Sequence, residues 1–379
     1  MRTSDITPYL ARVLGTPVTD VEVRPLGGGA GDDVKRFGYG VPLAVRCRAG
    51  GVPRELVISR TRPVAGFGHD YPADRAWQAV FSHAAFNSFP RHARSLDVGC
   101  ALASGTLESL GGATEFFQVV EKIDGTLYKL DLERLLEGDV TDRDVVRAVA
   151  LARFLADAHA VKGHDAAAGP IAGDEAARGA LYARRIRELV GHGECLMGIL
   201  DSYPHPYAPL PPAACEAIER AAVRWRWRLR GRVDRLSRVH GDFHPWNILF
   251  SDGADFTLLD RSRGEWGEPA DDVAALAINY LFFGLLRGAR EGRAAVVAEP
   301  FHALFRTFLD TYEAASGDHD LPGVMPPFLA FRAFVLAHPR WYPGLDTATR
   351  AALIRFGRAM VESTRVNLDE VSATLGAAA

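Results

Sequence analysis

The stretch from Val239 to Asp272, VHGDFHPWNILFSDGADFTLLDRSRGEWGEPADD, constrains the fold of this chain more than any other. Two apolar runs, Ile248–Phe250 and Phe256–Leu259, predict short buried strands. Between them, Ser251-Asp252-Gly253 predicts a hairpin turn. The hairpin therefore brings the residue that follows the second strand back beside the residue that precedes the first.

The polar residues of this stretch fall at the ends of the predicted strands. Asp242 and Asn247 lie on the loop that leads into the first strand, and Asp260 ends the second. Phosphoryl transfer needs a carboxylate that orients the acceptor hydroxyl, and an amide oxygen with a second carboxylate that hold magnesium. Asp242 is therefore the predicted base, and Asn247 and Asp260 are the predicted metal ligands. We place His240 with Asp242 in the catalytic set, and expect His240 and Asp272 to hold the loop in shape.

The segment HGDFHPWN (residues 240–247) resembles the HGDxHxxN catalytic loop of the aminoglycoside phosphotransferase and choline kinase family. The segment LLDRSRGEWGEPADDVA resembles that family's metal-binding segment, in which an apolar pair, Asp, polar residues and Gly-Asp-Pro precede a helix. Asp260 matches the metal-binding Asp, and Gly267-Glu268-Pro269 matches Gly-Asp-Pro. The resemblance covers nearly the whole chain, but its motifs are specific only over Val239–Ala274.

The resemblance implies an α+β, two-lobed, protein-kinase-like fold. A small mixed β/α lobe over residues 1–123 would bind nucleotide, and a larger, mainly helical lobe over residues 124–379 would carry catalysis and substrate binding. It also implies a small-molecule kinase that uses ATP and Mg²⁺ to phosphorylate an alcohol group. The sequence leaves open which acceptor is used, whether ATP or GTP is the donor, and the oligomeric state.

Three other interpretations remain open at this stage. Any single Asp or Asn of the stretch can be a turn or cap residue. His240, Asp242 and His244 alternate, so on a strand they would share one face and could bind the zinc of a hydrolase. That interpretation leaves Asn247 and Asp260 unexplained, and Pro245 suits an irregular loop better than a strand. The third alternative is a catalytically reduced, nucleotide-binding pseudokinase.

The predicted nucleotide lid and strand cation fit the family pattern only loosely. A glycine-rich turn that includes Gly28 and Gly29 follows a predicted strand, and glycines let the backbone approach phosphates. The family's strand lysine aligns with Ser59, so Arg60 is the nearest candidate cation, although Arg is not equivalent to Lys. The predicted helix Ala73–Phe86 contains no Glu to pair with that cation. These departures favour the pseudokinase alternative.

The segment Thr114–Ile123, TEFFQVVEKI, predicts a buried strand. In the family the hinge that contacts adenine follows such a strand. Glu121 and Ile123 are therefore the predicted hinge contacts, within a hinge over Glu121–Asp124.

Composition excludes several classes of partner. The net charge of −3 gives no broad electrostatic basis for nucleic-acid or membrane binding. The four cysteines are widely spaced without a zinc pattern, and the N-terminus has no apolar signal core, so we expect a cytoplasmic protein with free thiols.

The longest apolar run, Val273–Leu286, is too short to span a bilayer. It predicts a buried helix capped by the Asp271-Asp272 pair.

Overall fold

The computed structural model describes residues 1–26 and 39–376. The chain separates into two compact units, Met1–Glu121 and Lys122–Ala379. Helices predominate, and the strands form small antiparallel sheets. The predicted α+β, two-lobed fold class is therefore confirmed.

The N-terminal unit is built on an antiparallel sheet with the strand order β1-β2-β3. Its elements are α1 (Thr3–Leu14), β1 (Val18–Pro25), β2 (Leu43–Ala49), β3 (Val52–Ile58), α2 (Pro72–Ser88), β4 (Gly99–Ala101) and β5 (Leu107–Ser109). Residues Ile6 and Leu10 lie one helical turn apart on α1, and they are buried with Val45 and Cys47 of β2. One amphipathic helix thus covers one face of the sheet.

The prediction of a buried strand over Thr114–Ile123 is wrong. The segment forms no helix or strand, and the side chains of Phe117 and Val119 are 88% and 85% exposed. Strand propensity is realised only when a partner strand supplies hydrogen bonds and a buried face. Among the strands that the structure describes, none pairs with this segment.

The C-terminal unit is mainly helical. Its helices are α3 (Tyr128–Arg134), α4 (Asp142–Ala160), α5 (Glu175–Gly191), α6 (Leu196–Asp201), α7 (Pro212–Leu229), α8 (Pro269–Arg290), α9 (Phe301–Ser316), α10 (Leu321–Val324), α11 (Pro326–Ala337), α12 (Thr347–Glu362) and α13 (Val371–Gly376). Its strands are β6 (Thr126–Leu127), β7 (Ser237–Arg238), β8 (Ile248–Phe250), β9 (Phe256–Leu258) and β10 (Trp266–Gly267). These strands form two sheets, β6-β8-β9 and β7-β10.

The predicted hairpin is confirmed. Ile248 of β8 pairs with Leu258 of β9, and Gly253 in the turn has a φ of 53°. Past the last strand pair, the Leu259 N–H donates to the Asn247 carbonyl at 2.9 Å. The hairpin therefore places the backbone that enters β8 beside the backbone that leaves β9.

Helix α8 begins earlier than predicted, and a different residue caps it. Pro269 is its first residue, and the Glu268 carboxylate accepts from the Ala270 N–H at 3.2 Å. Glu268 is itself buried and held by Arg235 and by the Tyr182 hydroxyl. The predicted cap pair, Asp271-Asp272, lies instead in the first turn.

Within the described residues, only α8 is long and apolar enough to cross a membrane. Of its most apolar 18-residue window, 83% is buried inside this fold.

Candidate active site

Asp272 anchors the loop that carries the predicted catalytic residues. Its carboxylate is fully buried and accepts from the N–H groups of His240 and Gly241, each at 2.7 Å. His159 of α4 contacts the same carboxylate through Nε2 at 3.2 Å. Burial would raise the pKa of Asp272, but the hydrogen bonds from His159 and the loop backbone lower it. The ionised carboxylate thus fixes the start of the loop on the first turn of α8.

Both ring nitrogens of His240 are used inside the loop. Nε2 lies 3.0 Å from the Leu259 carbonyl, and Nδ1 accepts from the Asp242 N–H at 3.3 Å. Burial lowers the pKa of His240, although Asp272 opposes this, so the neutral ring is favoured. The ring joins the catalytic loop to the end of β9. Because neither nitrogen retains a free lone pair, this geometry does not fit a zinc site built on His240, Asp242 and His244.

Asp242 is buried beside two arginines and a histidine. Its Oδ1 accepts from Arg332, while its Oδ2 lies 3.6 Å from His244 Nε2 and 3.7 Å from Arg263 Nη2. Burial would raise the pKa of Asp242, but the charge of Arg332 and the contacts with His244 and Arg263 hold it far below its usual range. Asp242 is therefore ionised, and one of its two oxygens is already occupied.

Arg332 is the residue of this site that sequence reasoning missed. It lies on α11 and is 7% exposed. Its Nη2 donates to Asp271 at 2.8 Å and to the Gly241 carbonyl at 3.3 Å, in addition to the bond with Asp242. One signal was present: Arg332 is the single charged residue in the apolar helix PPFLAFRAFVLA. A buried charge in such a helix requires a partner, but the sequence does not say which.

Asn247 and Asp260 meet through the backbone of the hairpin. The Asn247 Nδ2 donates to the Asp242 carbonyl at 3.1 Å, so its Oδ1 is the side-chain atom left to accept. Asp260 follows Leu259, whose N–H bonds the Asn247 carbonyl, and its carboxylate is exposed. Asp260 has a φ of 52°, a left-handed conformation that Asp and Asn adopt more readily than most residues. This turn directs the chain away from β9 immediately after the hairpin.

The predicted nucleotide residues are placed differently from the catalytic ones. Gly28 and Gly29 lie outside the described residues. Arg60 is exposed two residues after β3 ends, and Glu121 and Ile123 are exposed in a segment without regular structure. Among the described residues of the N-terminal unit, Arg60 and Glu121 share no hydrogen bond or ion pair.

In α2, the helix that lacks the expected Glu, Asp74 and Gln78 both make polar contacts within the N-terminal unit. Asp74 accepts from the Tyr71 N–H at 2.9 Å as part of the cap of α2. Gln78 accepts from the Thr61 hydroxyl at 3.1 Å, which links α2 to the residues that follow β3. Gln78 therefore faces the segment that carries Arg60.

Comparison with known proteins assigns the chain to a class. The model of the Phosphotransferase enzyme family matches residues 22–315, more than three quarters of the chain. Together with the α+β fold, this match defines a phosphotransferase. More particularly, the chain belongs to the Phosphotransferase enzyme family, as its catalytic-loop resemblance predicted. The match includes Asp242, Asn247 and Asp260 but ends before Arg332.

Solved structures that match the chain include small-molecule kinases. A glucosamine kinase (crystal form A) shares 18% identity, with 96% of each chain covered and a TM-score of 0.37. Against a glucosamine kinase in complex with glucosamine, ADP and inorganic phosphate, identity is 20%, with 61% of this chain and 57% of that chain covered and a TM-score of 0.33. An ethanolamine kinase from Plasmodium vivax shares 11% identity, with 94% and 80% covered and a TM-score of 0.34. No curated protein matches the chain.

Proposed function

We propose that this protein uses ATP and magnesium to phosphorylate a hydroxyl group of a small molecule. One observation carries the proposal. The Asp242 carboxylate is buried and held ionised in a loop whose backbone is fixed by Asp272, and the hairpin of β8 and β9 joins the backbone of Asn247 to that of Leu259, next to Asp260. A base and two oxygen ligands are the parts that phosphoryl transfer requires.

The donor atoms at Asn247 and Asp260 suit magnesium. Mg²⁺ takes oxygen ligands and is commonly held by one or two protein groups together with substrate phosphates. Asn247 retains its amide oxygen, and Asp260 offers an exposed carboxylate. When bound there, magnesium would neutralise the charge of the ATP phosphates.

Asp242 would orient the acceptor hydroxyl more than it would pull off its proton. A carboxylate with a pKa far below its usual range is a weak base, so it accepts the proton only when the hydroxyl has become more acidic. Phosphoryl transfer through a loose transition state tolerates this, because positioning and charge neutralisation do most of the work. Asp242 presents Oδ2 for this task, since Arg332 occupies Oδ1.

The nucleotide side of the proposal rests on the family pattern. Gly28, Gly29, Arg60, Glu121 and Ile123 remain the proposed nucleotide contacts, in a nucleotide-binding lobe that ends near residue 123. The four cysteines are all free thiols, which supports a cytoplasmic location.

An ADP-release assay tests the function. Glucosamine and ethanolamine, which the solved kinases named above bind or carry in their names, are starting acceptors, beside neutral and acidic hydroxyl compounds of similar size. Asp242→Asn should lower turnover about 10²- to 10⁴-fold and leave Mg–ATP binding nearly unchanged. If Asp242→Asn turned over at the wild-type rate, Asp242 would not have the proposed role.

A catalytically reduced, nucleotide-binding protein is the second candidate. It is favoured by Ser59 at the position of the family's lysine and by the exposed Arg60 beside it. Mg–ATP binding by the wild type, with no ADP release on any acceptor, would support this candidate against the first.

A further inference from the structure

Arg263 lies against the catalytic loop in a fixed position. Next to it, Arg261 donates to the Val239 carbonyl at 2.9 Å and 2.8 Å and to the Glu265 carbonyl at 3.1 Å, which fixes the turn between β9 and β10. Gly241 has a φ of 88°, and a Cβ added there would lie 3.1 Å from the Arg263 Cβ. The glycine therefore lets the stem of Arg263 pack directly on the loop that carries Asp242.

The guanidinium of Arg263 retains free hydrogen-bond donors beside Asp242. Its Nη2 lies 3.7 Å from Asp242 Oδ2, beyond hydrogen-bond distance, and its side chain is 22% exposed. Its other described contact is with the face of Phe331, 5.7 Å from the ring centroid. Among the residues that the structure describes, nothing accepts a hydrogen bond from it. A guanidinium has five N–H donors in a planar fork that suits carboxylate and phosphate.

Arg332 differs from Arg263 because its charge is already matched. It donates to Asp242, to Asp271 and to the Gly241 carbonyl, and it is buried. Asp242, Asp271, Arg332 and Arg263 together carry no net charge. An acceptor ammonium group beside its reacting hydroxyl would meet two carboxylates whose charges are already matched, and the N–H donors of Arg263. An acceptor carboxylate or phosphate would meet the free donors of Arg263.

We propose that Arg263 is a specificity-determining residue that selects an acceptor bearing a carboxylate or phosphate close to its reacting hydroxyl, against acceptors bearing an ammonium group there. The inference rests on the proposed function.

In the reaction, the acceptor oxygen bonds to the γ-phosphorus of ATP. The bond from that phosphorus to the β–γ bridging oxygen breaks, its electron pair leaves on ADP, and the hydroxyl proton passes to Asp242 and then to solvent.

Three matched compounds test the selection: glycerate, glycerol and 3-amino-1,2-propanediol, which share one carbon skeleton and differ in the charge of one substituent. Each is titrated by calorimetry into the enzyme saturated with magnesium and a non-hydrolysable ATP analogue. The wild type should bind glycerate about tenfold or more tighter than the aminodiol, because the carboxylate accepts a charge-assisted hydrogen bond from Arg263 and the ammonium group cannot. Arg263→Gln should remove the preference, and Arg263→Glu should reverse it.

Arg224→Glu is the matched control, since it makes the same charge change at an exposed position of α7. It should keep the wild-type preference. The proposal is overturned if the wild type does not discriminate among the three compounds or prefers the aminodiol. It is also overturned if Arg263→Gln weakens the binding of the ATP analogue and of all three compounds equally, because Arg263 would then contact the transferred phosphoryl group. Failure of the proposed function is distinguishable, because it shows either as no binding of the analogue or as binding of Mg–ATP without ADP release on any acceptor.

Discussion

The catalytic loop and the N-terminal unit hold their polar groups in opposite ways. Asp242 and Asn247 of the loop, and Asp272 of α8 which anchors it, are buried, and each has defined hydrogen-bond partners within the C-terminal unit. In the N-terminal unit, Arg60 and Glu121 are exposed. The side chains of Asp242 and Asn247 are therefore fixed by the fold itself. Those expected to bind nucleotide are not preorganised in the same way.

The largest effect expected from this difference is on stability. Asp272→Ala leaves two buried backbone N–H groups and His159 without their acceptor, which should cost about 3–5 kcal/mol. Asp97→Ala is the matched variant in the N-terminal unit. Asp97 also accepts three hydrogen bonds, from Tyr9, Ser109 and Gly111, but it is only partly buried. It should cost about 1–2 kcal/mol. Urea unfolding measures the loss in free energy of unfolding for both variants. If the two losses were equal, burial would not explain the difference between the two regions.

The second effect is a loss of stability in Arg332→Gln that depends on pH. Arg332→Gln leaves Asp242 and Asp271 without their buried counter-charge, which should cost about 3 kcal/mol at pH 7. In the wild type the pKa of Asp242 is lowered, so its contribution to stability is present above the unfolded-state pKa and lost only as pH falls through the lower folded value. In the variant that pKa rises, and the folded protein takes up protons earlier.

The stability difference between wild type and Arg332→Gln should therefore narrow as pH falls from 7 towards 4. Urea unfolding at a series of pH values checks this. A difference that stays constant over the range would mean that Arg332 contributes packing and not charge.

The smallest effect is expected in the N-terminal unit. An exposed cation in high dielectric contributes about 1 kcal/mol or less, so Arg60→Ala should raise the Kd for Mg–ATP about fivefold or less. Arg62→Ala, at the next exposed arginine, should change it still less. Isothermal titration calorimetry separates the two. A much larger rise in the Kd for Mg–ATP in Arg60→Ala would show that nucleotide binding buries this side chain. The N-terminal unit would then resemble the catalytic loop in holding its polar groups buried.

Local patterns of sequence predicted the catalytic hairpin correctly. Apolar runs on either side of Ser251-Asp252-Gly253 define the register of β8 and β9, and that register alone places Asp260 next to the backbone partner of Asn247. The family motifs cover the same short span. Where a site is built from neighbours in sequence, strand period and turn chemistry are sufficient to predict it.

The sequence failed where the answer depended on distant parts of the chain. Arg332 reaches Asp242 across 90 positions, through the packing of α11, and no local pattern specifies such a pair. Asp272 was expected to hold the loop in shape, which it does, but it was also expected to cap its helix, and there Glu268 is the cap. The apolar segment Thr114–Ile123 had the composition of a strand but lacked a partner strand among those described. In each case tertiary context decided the outcome.

The central claim is that Asn247 and Asp260 hold magnesium for a bound nucleotide. A thermal-shift titration with ATP, with and without magnesium, on wild type and Asp260→Asn tests it most directly. Asn keeps the left-handed backbone at this position and removes the charge, so the unliganded melting temperature should not change. We expect a magnesium-dependent rise in melting temperature with ATP for the wild type, and its loss in Asp260→Asn. An equal rise in both proteins, or none in the wild type at millimolar ATP, would contradict the claim.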